Sequence, residues 1–583
     1  MFARTLSTLV LSTLVALTTH AKLPDVANHI PEDAPVAIVV PSLNGLNDQI
    51  QTALTALEMP GMFTLEQGLA TIGIREGLDF NGSAALIVPF SAFENDGEGV
   101  VALLPVTDYD AFVAQFNGVI DNGIASFVMN DEEVYAKSLA SYIVLADSAN
   151  DLAAFEGNAN AGTLEAKMGP KVNAIANNAG IYAIVNHAPI AEALGPMLEQ
   201  AKAEMHDEVQ HGLNADELGG MDPQMILGLL DSGFEIFEDL IDQSTVTIIG
   251  AEVSAFGYSI DAATSFTPGS EWGTLVSAQG DASKYLSLLP DRPYIFASST
   301  DVSMPEVKDA LASMMEALGP MMDQLAEVGG DQFLAAFNPD VIGLTDGQVQ
   351  AMYVPEGGLM GGLLSGTTRI DVSSNPDALH QHARTIIQAM VGGGMMGEAG
   401  GDFTLDTDAV SVGDAKADAW AMSLPMDMGG NPMIGQFMGM FFGPTGGPAG
   451  LLMKGPRGVY STYTQDPSFM ESLLSVDPED SLASNTGIRQ VQEFLPENTM
   501  AEFYFSAQDT IDMVMPMAAA FGMAVVLPET NMPPIGAGVA TGNNEVHARL
   551  FVPMPVIQGL GQIGMAVQQQ MMQQGGNGGN PPF

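Results

Sequence analysis

The sequence predicts an α+β fold made by tandem duplication, each half an antiparallel or mixed sheet with helices packed mainly on one face. Three observations predict it. Apolar runs of strand length come as hairpin pairs more often than as lone strands between helices, which favours α+β over a doubly wound parallel sheet. The same blocks recur in the same order in both halves. Hydrophobic residues make up 46% of the 583, enough for sizeable cores in a chain too long for one.

The blocks follow one another along the chain. Pro31-Glu-Asp-Ala-Pro35 is a turn feeding an apolar strand, and Pro290-Asp-Arg-Pro293 does the same 259 residues later. Helical patterns follow at Leu46 to Leu57 and Val307 to Leu325. Two strands and a helix come next, Ala84 to Pro89, Val100 to Val106 and Asp110 to Phe116. Their counterparts are Val349 to Pro355, Thr367 to Val372 and Asp377 to Met390. Tyr135 to Lys137, Tyr142 to Ala146 and the helix Ala149 to Phe155 match Leu452 to Lys454, Val459 to Tyr463 and Pro467 to Leu474. Ile181 to His187 matches Ala501 to Ser506. A closing hairpin is signalled by Gly542-Asn-Asn544 between apolar runs. The first half is read as 22–287 with a helical insertion at about 189–242. The second is 288–567 with a Gly/Met-rich insertion at about 391–450, and 568–583 is a disordered Gln/Met then Gly/Asn/Pro tail.

Residues 1–21 read as a signal peptide, with Arg4, the apolar stretch Leu6 to Leu17 and the cleavage site Thr19-His20-Ala21. The expected location is therefore exported, periplasmic or extracellular. The longest uncharged run after it, Met428 to Met453, is too rich in Gly and Pro for a lipid-exposed helix, so no transmembrane helix is expected after cleavage. Cysteine is absent, which excludes disulfides, thiolate metal sites and a cysteine nucleophile. The charge is −53, from 70 acidic and 17 basic residues. Acidic residues are an ordinary share of the chain, so the imbalance comes from missing Lys and Arg. Such a surface repels phosphate backbones and anionic membranes, and nucleic acid is excluded as a partner. The mature chain, with 16 basic residues against 70 acidic, carries −54 and repels itself unless salt screens it.

Motifs for chemistry are sparse. No nucleophile elbow or P-loop occurs. Gly392-Gly-Gly394-Met-Met-Gly397 matches a dinucleotide pattern but follows a helix instead of a strand. No His-Glu-x-x-His is present, and the spacings of His206 with His211 and of His380 with His382 do not suit zinc; both pairs read as solvated. His187 ends a predicted strand and is the one acid/base candidate, with nothing paired to it in sequence. Carboxylate clusters such as Asp131-Glu-Glu133 and Asp477-Pro-Glu-Asp480 read as solvated turns, with weak surface binding of divalent cations as the alternative. No cofactor is expected. The Gly/Met segment is the most unusual local feature: Met426, Met428, Met433, Phe437, Met438, Met440 and Phe441 form an apolar contact set. Thioethers also suit Cu(I), although no His or Cys stands nearby.

Ile30-Pro31-Glu-Asp-Ala-Pro-Val-Ala-Ile-Val-Val-Pro41 resembles the opening of exported proteins of planctomycete-type bacteria that carry a domain of unknown function. Val106 to Phe112, Gly257 to Ser270 and Phe494-Leu-Pro496-Glu-Asn498 resemble later steps of that family. The resemblance implies an exported, marine-type protein and assigns no activity, cofactor or site residue; the Gly/Met insertion departs from the pattern. The functional expectation is a non-enzymatic exported protein that binds a partner or an apolar ligand. An exported hydrolase with a nonlocal site around His187, and a Met-rich copper-binding envelope protein, are the alternatives.

Overall fold

Alternating apolar and polar residues set the strands. In Gly347–Tyr353 every second residue is buried, so one face of the strand makes core and the other does not. Tyr142–Ala146 has no alternation and is buried throughout, as expected of an all-apolar run inside a sheet. A computed structural model describes residues 23–94, 99–129, 131–157, 161–211, 223–317, 343–392, 403–422, 438–443, 447–520 and 530–575. Within these residues the fold is α+β, and the strand pairings given below are all antiparallel. No helix among them is long and apolar enough to cross a membrane.

The chain packs as two compact units. The first takes the residues up to Ile50, Phe63–Pro189 and Thr245–Glu252; the second takes Gln51–Met62, Ile190–Ser244 and everything from Val253 on. The first unit's strands are β1 (Val36–Val40), β2 (Ala84–Val88), β3 (Val101–Pro105), β4 (Val119–Asp121), β5 (Ile124–Met129), β6 (Glu132–Leu139), β7 (Tyr142–Ala146), β8 (Ile181–Asn186) and β9 (Ser244–Val253). Their order across the sheet is β4-β5-β6-β7-β3-β2-β1-β8-β9. One core of this unit gathers Ile74, Phe112, Val113, Phe127, Ile143 and Leu145.

The second unit contains β10 (Gly257–Phe266), β11 (Tyr294–Asp301), β12 (Gly347–Tyr353), β13 (Thr367–Val372), β14 (Phe403–Val412), β15 (Ala415–Met422), β16 (Ala449–Gly455), β17 (Gly458–Thr462), β18 (Thr499–Phe505), β19 (Ile535–Gly542) and β20 (Glu545–Pro553). The order is β14-β15-β16-β17-β13-β12-β11-β18-β19-β20-β10. Its first nine positions repeat the order of the first unit strand for strand. The core here includes Tyr294, Val349, Tyr353, Ile370, Leu451, Tyr460, Leu482 and Tyr504.

Local chemistry fixes the element ends. Asp108 caps the helix Tyr109–Ala114, accepting from the Ala111 N–H at 3.0 Å. Asp466 caps Pro467–Leu474, with proline at the first helical position. Asn543 and Asn544 have φ of 59° and 58°, the left-handed pair that a two-residue hairpin turn requires between β19 and β20. The helices His187–His211 and Pro223–Gln243 occupy the stretch read as a helical insertion.

Two features differ from the reading of the sequence. Each unit has four strands between its second and third helical blocks, and the first two of each, β4–β5 and β14–β15, are absent from the blocks named above. The short hairpin β4–β5 turns at Asn122-Gly123, whose positive φ values mark the tight turn. Residues 403–422 of the Gly/Met-rich stretch form the hairpin β14–β15, which pairs onto β16. The alternation in Ala-Lys-Ala-Asp-Ala-Trp-Ala-Met was hidden by the glycines around it.

Candidate functional site

The second unit has a cleft of about 470 Å³ where strand ends meet a helix start. The turn before β11 contributes Arg292 and Pro293, the end of β12 contributes Tyr353 to Glu356, and the approach to β13 contributes Ser365 and Gly366. Tyr463 to Asp466 follow β17, and Ser468 and Phe469 open the helix Pro467–Leu474. Strand pairing fixes these pieces: the Val354 N–H donates to the Pro293 carbonyl at 2.9 Å, and the Tyr463 N–H to the Thr367 carbonyl at 3.0 Å.

The walls are aromatic. Tyr353 is buried and meets Phe469 edge to face, with ring centres 6.0 Å apart at 87°. Tyr463 stands edge to face against Trp420 at 5.2 Å, and Phe403 stacks on Trp420 at 6.1 Å. Burial raises the Tyr353 hydroxyl well above its ordinary pKa, so it stays protonated and donates to the Pro290 carbonyl at 3.0 Å. Asp466 accepts from the Ser468 N–H and hydroxyl, the Gln465 amide donates to the Trp420 carbonyl, and Ser365 donates to the Gly362 carbonyl. Most polar groups of the lining are thus already engaged in holding the cleft together.

Phe442 joins the lining from the Gly/Met-rich stretch. It belongs to a helical turn at 438–443 with Met438, Met440 and Phe441, all half-buried. This turn docks backbone to backbone. Gly362 has φ of +92°, and a Cβ there would lie 2.4 Å from the Gly443 nitrogen. Of the predicted apolar set, Met438, Met440 and Phe441 therefore stand on the turn that brings Phe442 to the cleft. Met426, Met428, Met433 and Phe437 lie outside the described residues.

The first unit has a cleft of about 580 Å³ at the corresponding corner. It too is bounded by the turn before the first strand (Pro31 to Ala34), the end of the second (Ile87, Pro89), the start of the third (Gly99, Val101) and the helix after β7 (Asp151 to Gly157). Its charged lining is acidic, Glu32, Asp33, Asp151 and Glu156. Among the described residues no group of three His, Asp or Glu side chains is arranged to hold a metal ion.

His187 lies in the first unit, at the end of β8, and its Nε2 is 2.8 Å from the Thr247 hydroxyl on β9. Its Nδ1 is buried with no hydrogen-bond partner, and burial lowers its pKa, so the ring is neutral near pH 7. His206 contacts Asp231 at 2.8 Å. His380 is not solvated: its side chain is mostly buried, 3.2 Å from the Asp418 carboxylate. Neither cleft is lined by histidine among the described residues. Sequence reasoning missed Arg292, Tyr353, Tyr463 and Phe469, which are far apart in the chain.

No protein-family model matches the chain, and no curated protein or solved structure is significantly similar to it.

Proposed function

We propose that this is an exported, non-enzymatic binding protein that holds an apolar ligand in the aromatic cleft of its second unit. The observation that carries the reading is the convergence of Tyr353, Phe442, Tyr463 and Phe469 on a cavity the size of a small-molecule site. Neither cleft contains a histidine among the described residues, which supports binding over hydrolysis. The shared strand order and the matching corner clefts support an origin by tandem duplication, with one copy keeping acidic walls and the other gaining aromatic ones. Export rests on the pattern of residues 1–21 and on the resemblance to exported planctomycete-type proteins.

The test uses the neutral fluorescent probe N-phenyl-1-naphthylamine with the mature protein in 0.5 M NaCl. Binding should be saturable, and Phe442→Ala should weaken it about fivefold or more, in line with loss of a buried aromatic contact. Equal affinity in the variant would remove the cleft as the site.

A further inference from the structure

Basic residues are few, 17 against 70 acidic, and several of them, such as Arg75, Lys416, Arg457 and Arg489, make no ion pair among the described residues. Lys202, Lys284, Lys308, Arg369, Arg384, Lys454 and Arg549 each pair with an aspartate. Arg292, in the lining of the cleft, makes no ion pair among the described residues. Its guanidinium lies over the Phe469 ring, 5.7 Å from the centre. This cation–π contact uses no N–H hydrogen bond, and the guanidinium's N–H groups are the donors that recognise a carboxylate or sulfonate in bidentate fashion. The repeat alignment sets Arg292 against Asp33, which lines the acidic cleft of the first unit. The sign of the charge is thus reversed at matching positions. Glu356 and Asp466 line the same cleft and oppose negative charge, so an anionic group is tolerated there only in direct contact with Arg292.

Resting on the binding reading above, we infer that the ligand is a monoanion: an aromatic or otherwise apolar body lying among Tyr353, Phe442 and Phe469, with one carboxylate or sulfonate group on Arg292. The recognition is built for one negative charge in a protein whose overall field opposes it, so the contact is short-range and specific, not steered from afar.

Two probes isolate the charge. 8-Anilinonaphthalene-1-sulfonate is N-phenyl-1-naphthylamine with a sulfonate added, so the two share one apolar body. Both are titrated in 0.5 M NaCl against the mature protein, Arg292→Gln and Arg292→Lys. Arg292→Gln should raise the Kd of the sulfonate about tenfold or more, the scale of a lost charge-assisted contact, and leave the neutral probe within about twofold. Arg292→Lys should fall between, since it keeps the charge but loses the planar fork. Melting temperatures should be unchanged, because Arg292 is exposed. Equal weakening of both probes, no weakening of either, or no sulfonate binding by the unaltered protein would overturn the inference. Loss of the Phe442→Ala effect on the neutral probe would instead overturn the cleft itself.

Discussion

A buried carboxylate in so acidic a chain needs a cation, and Asp418 takes Arg384. Both Asp418 oxygens accept from Arg384, each at 2.6 Å, and the Asp408 N–H adds a third bond at 2.9 Å. Burial alone would raise this carboxyl, but the hydrogen bonds from Arg384 and Asp408 hold it below the ordinary range. Asp261, between His547 and Arg549, and Asp301, beside Lys284, are likewise lowered against the effect of burial. A carboxyl lowered in the folded state adds stability above its unfolded pKa of about 3.9, lost as pH falls through the folded value. His187 and His380 act further up the scale. Burial lowers both, so acidification below about 6.5 charges the unfolded histidines first and favours the unfolded chain. Asp418→Asn should cost about 1.5–3 kcal/mol in denaturant unfolding at pH 7, because Arg384 loses its buried bidentate partner and keeps only Asp408. The same variant should show a shallower fall in stability below pH 4 than the parent.

At the scale of elements, the turn at 438–443 comes into close backbone contact with Gly361 and Gly362. Gly362→Ala has no room for its Cβ and an unfavourable φ, so the expected outcome is displacement of Phe442 from the cleft. Binding of the neutral probe should drop as far as in Phe442→Ala, with a smaller change in melting temperature than Asp418→Asn produces. Most strands were legible because their signals are local. Thr367–Val372, Tyr142–Ala146 and Pro467–Leu474 match the sequence reading to the residue. The hairpin β14–β15 was not, since its alternation sits inside a glycine-rich composition that reads as loop.

At the scale of the whole molecule, a charge of −53 is a statement about medium. Self-repulsion destabilises the compact state, and at 0.5 M salt the screening length is only ~4 Å. The melting temperature should therefore rise between 0.02 M and 0.5 M NaCl; equal values would show that the charges are compensated locally. The cleft could not be read from sequence in the same way. Arg292, Tyr353 and Phe469 become neighbours only because β11, β12, β13 and β17 lie side by side, and strand order is a nonlocal property. The recurring blocks were legible, and the strand order of the first unit recurs in the second, but neither corner cleft nor its lining could be read from them.

In the second unit β20 pairs with β10, a strand from the first half of the chain, in continuous register from Gly257 opposite Pro553 to Ser265 opposite Glu545. Asp261 and His547, which meet across that pairing, are 286 residues apart. The seam has a consequence for synthesis. On the ribosome β10 emerges long before β20 exists and must wait with an unpaired edge, while a product begun at residue 288 would leave the edge of β20 open to strangers.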